Sequence, residues 1–252
     1  DIDSAANCFT DRFHHSLRYA ENHDEVRLAS NGNWAASGMS IGKPVSAILY
    51  GLGRGPIMLY SGQETGEAAN GAEGFSGDDG RSSIFDYGCL PSLIPWVNQH
   101  RYNESALSAE QKDLRHFYAK LLKTCAEPAF THGDFYGLNH ANQSNAHYGR
   151  IHGEEPSGHW LYSFMRRDER SAQAFLVVAN LNPTESLHDV SIQIPDDALS
   201  WLSRKHQNKK SLTFADTLGS QQKWKAVTKA LPSDGLLIGE LPAMSALYLK
   251  IK

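Results

Sequence analysis

The feature that most constrains this chain is an alternation in its first half. "HHSLRYAEN" reads as a short strand, with Leu17 and Tyr19 leading into a polar tip. "GKPVSAILYGLGRG" reads as a helix: Pro44 suits a first turn, Val45, Ile48, Leu49 and Leu52 recur at helical spacing, and Gly53 and Gly55 stop it. "PIMLYSG" is a continuous apolar run between breakers, the pattern of a strand buried on both faces. "SAEQKDLRHFYAKLLKTCA" opens with a capping box, Ser108 and Gln111, and carries one stripe through Leu114, Phe117, Tyr118, Leu121, Leu122 and Cys125. Strand, helix, strand, helix in this order argues for parallel pairing with covering helices. About twenty residues follow the first strand and over forty the second, while the return from helix to strand takes about two. Long strand-to-helix loops with short returns are the pattern of a (β/α)8 barrel, whose active-site face those loops build. Two such units cannot close a barrel of eight, so residues 1–127 are expected to form only part of one.

The texture changes after Ala126. "VSIQIP" and "ALYLKIK" alternate with period two, "SLTFAD" adds a short strand, and "HWLYSFMRR" and "AQAFLVVANLNP" read as a hairpin across "RDERS". Turns are expected at 180–183 and 232–235, "RRDER" reads as a charged hairpin turn, and residues 139–159 read as a polar linker or long loop. The expected fold is α/β plus all-β: a partial (β/α)8 barrel of two βα units, followed by an antiparallel β-sandwich over residues 128–252. That second domain should fold by itself, because its alternating strands can bury their own faces.

Composition narrows the partners. A net charge of −4, with no basic cluster beyond "RRDER" and "NKK", argues against nucleic acid. No apolar run approaches the roughly 20 residues of a membrane span. "DIDSAANCFTDRF" has neither the basic start nor the apolar core of a signal peptide, and the compartment is left open. Cys8, Cys89 and Cys125 lie far apart and suggest neither a disulfide framework nor a zinc ribbon. His140, His147, His152 and His159 lack metal-binding spacing and read as solvated loop histidines. "SGDDG" at 76–80 lacks the spaced acids of a calcium loop.

The stretch "LRYAENHDEVRLAS" is where chemistry concentrates. An apolar run ends in Asn22, His23, Asp24 and Glu25, with Arg27 just beyond. A polar turn accounts for such a cluster, since Asn and Asp side chains bond nearby backbone groups. Its place at the C-terminal tip of a parallel strand, where barrel enzymes keep catalytic groups, points instead to a site. The stretch resembles the region of the α-amylase family, glycoside hydrolase family 13, in which Asn-His-Asp closes the seventh barrel strand. "RYAENHDEVR" also has the Arg three residues after the Asp that many members carry. "GRGPIMLYSGQETGE" resembles that family's eighth strand, and "DGRSSIFDY" with "PWVNQHRYN" the loop after it in some bacterial members. The capped helix is similar to the eighth barrel helix, and the β-rich tail to the C-terminal domain. The resemblance runs from about residue 10 to the end of the chain.

The resemblance implies a retaining mechanism through an oxocarbenium-like transition state, with two carboxyl groups roughly 5–5.5 Å apart. A further carboxylate grips sugar hydroxyls as charge develops; by resemblance this is Asp24, the transition-state stabiliser. His23 would donate to a hydroxyl of the same sugar, Asn22 stands beside it, and Arg27 would hold the loop or a neighbouring carboxylate. Glu64, with Gln63, either satisfies a buried strand end or contacts sugar. Tyr87, with Asp86 and Trp96, either packs its loop or stacks on outer sugars. The family's nucleophile and general acid lie on the fourth and fifth strands, and neither motif occurs here; Arg166-x-Asp168 falls in the expected hairpin turn. The resemblance therefore implies the C-terminal part of an enzyme acting on an α-glucan or oligosaccharide, inactive alone. No cofactor is expected, with calcium only in the full-length enzyme, and oligomers could form through the truncated barrel edge. The reading from another class is a non-catalytic glucan-binding or structural module, which an exposed aromatic platform would favour.

Overall fold

The computed structural model describes Ile2 and residues 16–32, 37–70, 79–82, 90–149 and 160–252. In chain order its helices and strands are α1 (Gly42–Leu52), α2 (Ile94–Val97), α3 (Ala109–Cys125), α4 (Pro128–Thr131), β1 (Asp134–Gly137), β2 (Leu161–Asp168), β3 (Gln173–Asn180), β4 (Leu187–Ile192), α5 (Asp196–Trp201), α6 (Arg204–Gln207), β5 (Ser211–Asp216), β6 (Lys223–Val227), β7 (Leu236–Leu241) and β8 (Ser245–Ile251). Six strands form an antiparallel sheet in the order β1-β2-β3-β8-β5-β6, and β4 pairs antiparallel with β7. The expected hairpin is β2–β3, in register from Leu161 opposite Asn180 to Asp168 opposite Gln173.

Side-chain alternation on β3 explains the layers. Ala174, Leu176 and Val178 point to one face and pack with Val190, Ile192, Leu236 and Leu241 of the small sheet. Phe175, Val177 and Ala179 point to the other face and pack with Ala47, Tyr50, Phe117 and Leu121 of α1 and α3. A strand covered on both faces needs apolar residues at every position, which is why "AFLVVA" does not alternate. The edge strand β6, "KWKAV", alternates exposed and half-buried positions, with Lys223 and Lys225 exposed, a pattern that discourages pairing with another chain. The second cluster joins residues on both sides of position 127: Leu114, Phe117, Tyr118 and Cys125 share it with Phe130, Phe164, Phe175 and Tyr248.

The helices follow their sequence signals. Ser108 Oγ accepts from Gln111 N at 3.1 Å and Ser108 N donates to Gln111 Oε1 at 3.1 Å, so the capping box of α3 is closed in both directions. Helix α1 lies close on the sheet at Gly51, where a Cβ would sit 2.5 Å from Tyr248 Oη and 2.8 Å from Phe164 Cζ.

Several expectations are corrected. Arg166 and Arg167 belong to β2, and the turn proper begins after Asp168, which accepts from Ser171 N at 2.8 Å and Ser171 Oγ at 2.5 Å. Of the two alternatives for residues 139–159, the described part, 139–149, is a loop tied to the sheet rather than a free linker. Asn142 donates to the carbonyls of Leu138 and Gln193, both at 2.9 Å, Asn145 donates to Ser191 O at 2.8 Å, and buried Tyr148 meets Ser163 Oγ at 2.7 Å. Polar side chains here replace the backbone partners that a strand would provide. Helices α5 and α6 interrupt the β-rich tail, α5 opening with Asp196 and Asp197 in its first turn. Finally, "PIMLYSG" is not buried on both faces: residues 57–60 are half-buried. Parallel pairing with the first strand is limited, among the described residues, to one bridge between Arg18 and Ile57. Arg18 N donates there to Pro56 O and Met58 N to Arg18 O, both at 2.9 Å.

Candidate active-site face

The segment leading to the Asn22 turn, which carries the isolated Arg18–Ile57 bridge, is held at its base by the C-terminal end of α1. The last carbonyls of a helix have no partner within it and carry partial negative charge. Arg18 donates to the carbonyls of Tyr50 and Gly55. From the sheet side, fully buried Arg166 donates to the carbonyls of Leu52, of Gly51 at 3.2 Å, of Ala129 at 3.2 Å and of Gly133 at 2.8 Å. Burial pushes the Arg166 guanidinium down to about 9, and the Arg18 and Arg54 charges push the same way. Burial also lowers Arg18. Backbone dipoles, rather than a carboxylate, are what these cations face.

Beyond the tip the arrangement differs. Arg27, 0% exposed, pairs with Glu21, 1% exposed, at 2.8 Å. Glu21 also accepts from Leu28 N at 2.9 Å. Arg27 Nε donates to Ser82 Oγ at 2.9 Å, its amide donates to Gly80 O at 2.7 Å, and its guanidinium lies 4.1 Å from the Tyr60 ring centroid. Burial raises Glu21 above the usual carboxylate range, and Arg27 opposes that rise. Arg27 thus holds the loop and a neighbouring carboxylate from inside the fold.

Between these two anchors sits the turn. Asn22 Oδ1 accepts from Asp24 N at 2.8 Å and from Glu25 N at 2.9 Å, an Asx turn. It presents the side chains of His23 and Asp24, 48% and 69% exposed, with His23 Nε2 3.3 Å from Asp24 Oδ2. The polar-turn reading is what the geometry shows at Asn22, and the turn leaves an imidazole beside a carboxylate facing solvent. Arg81, which pairs with Asp79 at 2.7 Å, also feels the Asp24 and Glu25 charges.

The segment through Ile57 turns sharply at Gly62 (φ 87°) into a single helical turn, Gln63–Thr65. Gln63 is structural: its amide reaches Tyr118 Oη at 2.9 Å, Ser46 Oγ at 3.2 Å and Tyr50 Oη at 3.3 Å, tying the loop to α1 and α3. Glu64 faces Arg115 at 3.6 Å, and that guanidinium lies 3.4 Å from the centroid of Trp96. Trp96 is half-buried against Arg115 of α3. Tyr87 and Asp86 lie outside the described residues, as do His152 and His159. His147 N donates to Asn145 Oδ1 at 2.9 Å, and His140 opens the short turn His140–Asn142. Among the described residues no group of three His, Cys, Asp or Glu is placed to hold a metal ion.

Sequence reasoning missed Glu21, Arg18 and Glu67. Glu67 is buried and accepts from Ala69 N at 3.0 Å and Ser92 N at 2.9 Å, bracing the loop. The one signal for Glu21 was an acid preceding the tip with an arginine beyond it. Chemically, an exposed carboxylate beside an imidazole on a braced turn can bind adjacent hydroxyls and stabilise positive charge developing next to them.

No protein-family model matches the sequence, and no curated protein matches it. Solved structures do. The crystal structure of a trehalose-6-phosphate hydrolase from Bacillus licheniformis aligns over 98% of this chain and 46% of its own, at 13% identity and a TM-score of 0.51. A gamma-CGTase from Alkalophilic bacillus clarkii aligns over 93% of this chain and 26% of its own, at 13% identity and a TM-score of 0.48. A debranching enzyme from Nostoc punctiforme, soaked with acarbose, aligns over 93% and 33%, at 19% identity and a TM-score of 0.41. This chain spans less than half the length of each. The likeness is one of fold, carried by the trehalose-6-phosphate hydrolase.

Proposed function

We propose that this chain is the C-terminal part of an α-amylase-family glycosidase or transglycosidase acting on α-glucans, made of the last two βα units of a catalytic barrel and the β domain that follows. The observation that carries the reading is the Asn22 turn. It ends a strand with a parallel bridge, is braced on both sides, and displays His23 and Asp24 to solvent. In this reading Asp24 grips sugar hydroxyls more tightly as the ring flattens, which stabilises the transition state over the ground state. His23 donates to a neighbouring hydroxyl. Arg27 and Glu21 keep the turn in place from within, and Glu64, paired with Arg115, shapes the rim. The nucleophile and the general acid come from the upstream part of the enzyme, so the reaction needs both parts, while no cofactor is called for. The open flank of the bridged strands, where Leu17 and Tyr19 are exposed, is where that upstream part, or a second copy of this chain, would pack.

The test is catalytic. The chain alone should release no reducing sugar from soluble starch, and the enzyme that contains it should. Release by the purified chain alone would overturn the division of labour proposed here.

A further inference from the structure

We infer that the groove between α3 and the β-domain turns is a second saccharide site, taking one or two rings of an uncharged oligosaccharide; only the choice of an α-linked sugar rests on the function proposed above. The groove encloses about 540 Å³, within the roughly 300–1,000 Å³ of small-molecule sites, and it lies where two layers meet, as such sites often do. It shares no lining residue with the Asn22 turn.

Its walls are built and its chemistry is selective. Phe117, Leu218 and Leu247 supply apolar lining. Asp216 fixes the β-side wall by accepting from the amides of Leu218 at 3.1 Å, Gly219 at 2.9 Å and Ser220 at 2.8 Å, which leaves it little capacity for a ligand. Lys43 and Asp113 pair with each other. Lys120 and Glu240 line the groove, exposed and with no partner among the described residues. The Lys120 ammonium rests on Gly219 (φ 132°), where a Cβ would lie 2.3 Å from Nζ. A donor and an acceptor beside an apolar surface suit a pyranose, which has hydroxyls at its rim and C–H groups on its face. Lys43 is paired with Asp113 and His116 also lines the wall, so beside Lys120 the groove has, among the described residues, no cluster of free cations to favour a phosphorylated sugar.

The experiment is a titration of the chain with maltotriose, following backbone amide resonances. Shifts at Gly219, Ser220 and Leu247 are expected, with affinity reduced about tenfold in Lys120→Met and in Glu240→Gln and an unchanged melting temperature, since both side chains are exposed. Shifts confined to residues 22–27 would overturn the groove site while supporting the active-face reading. Tighter binding of glucose 6-phosphate would overturn the uncharged class. Groove shifts with cellotriose but not maltotriose would uphold the site and count against the α-glucan reading. No shift with any of these sugars would overturn the inference.

Discussion

Arg166 and Arg27 are both fully buried, and the two regions around them are built on opposite principles. Arg166 lies where β2, α1 and α4 meet; among the described residues its hydrogen bonds all go to carbonyl oxygens, those at the ends of α1 and α4 among them, and Phe130 lies against it. Arg27 lies beyond the Asn22 turn and faces a carboxylate, Glu21. The first region is a junction of layers, clad in aromatic rings such as Phe130, Phe175 and Tyr248. The second is a loop with one ion pair at its heart and two solvent-facing side chains at its tip. A site needs its displayed groups held still by neighbours that do not themselves face the ligand. Arg18 below the turn and Arg27 beyond it meet that need in different ways, one through helix dipoles and one through charge pairing.

The largest test of this contrast is to remove the layer that the junction joins. Cutting the chain between Glu127 and Pro128 strips α1 and α3 from the sheet and exposes Tyr162, Phe164, Phe175, Val177 and Tyr248 together with Arg166. At about 1.5–3 kcal/mol per large buried apolar side chain, the loss is on the order of a whole domain's 5–15 kcal/mol. Residues 128–252 should therefore self-associate, bind a hydrophobic dye and lose cooperative unfolding. A separate tail with a sharp, concentration-independent melt would uphold the expected division at position 127 and break the argument that the junction is essential.

Next come the arginines themselves. Arg27→Met leaves Glu21 buried without its partner, which should cost about 3–5 kcal/mol near neutral pH. The cost should depend on pH. Burial already holds the Glu21 pKa above its ordinary value, and losing Arg27 raises it further. Between the unfolded and folded values the folded state binds more protons, so stability falls as pH rises through that window and recovers on acidification. Arg166→Met leaves carbonyls rather than a charge, so it should cost about 3 kcal/mol with little change between mildly acidic and neutral conditions. Urea unfolding of both variants across that range separates the two modes. Parallel pH profiles would show that the regions are not built differently after all.

How much of this was legible depended on whether a residue's partner is near in sequence. The period-two strands, the capped helix and the Asn22 turn all declare themselves locally, because pattern, cap and Asx acceptor lie within a few residues. Arg166 does not. In "RRDER" it looks like a turn residue, and the carbonyls that satisfy it come from residues 129–133 and, over a hundred residues earlier in the chain, from α1. Asn142 and Asn145 read as linker for the same reason, since the groups they satisfy belong to residues 191–193. The second strand read as more buried than it is, since a continuous apolar run cannot reveal how many neighbours cover it. Glu21 was overlooked beside the more conspicuous Asp24 and Glu25, although of these three it is the buried one.

The smallest expected effect on the fold is the most informative about the site. Asp24→Asn keeps the shape of the turn: Asn22 Oδ1 still accepts from the backbone amide of residue 24, which the substitution does not touch. The Asp24 side chain is 69% exposed and its contact is with the neighbouring His23 imidazole, itself half in solvent. An exposed pair of this kind contributes about 0–1 kcal/mol, so the melting temperature should barely move. In the enzyme that contains this segment, turnover on a maltooligosaccharide should nonetheless fall about 10²–10³-fold, the usual consequence of removing one electrostatic stabiliser of a developing charge. His23→Ala should cost less and appear partly in KM, since a donor to one hydroxyl contributes mainly binding. The pairing of an unchanged fold with a collapsed rate is what distinguishes a displayed functional carboxylate from a turn residue. If Asp24→Asn kept near-normal turnover while folded, Asn22 would account for the whole stretch, and its polar residues would be nothing more than a turn.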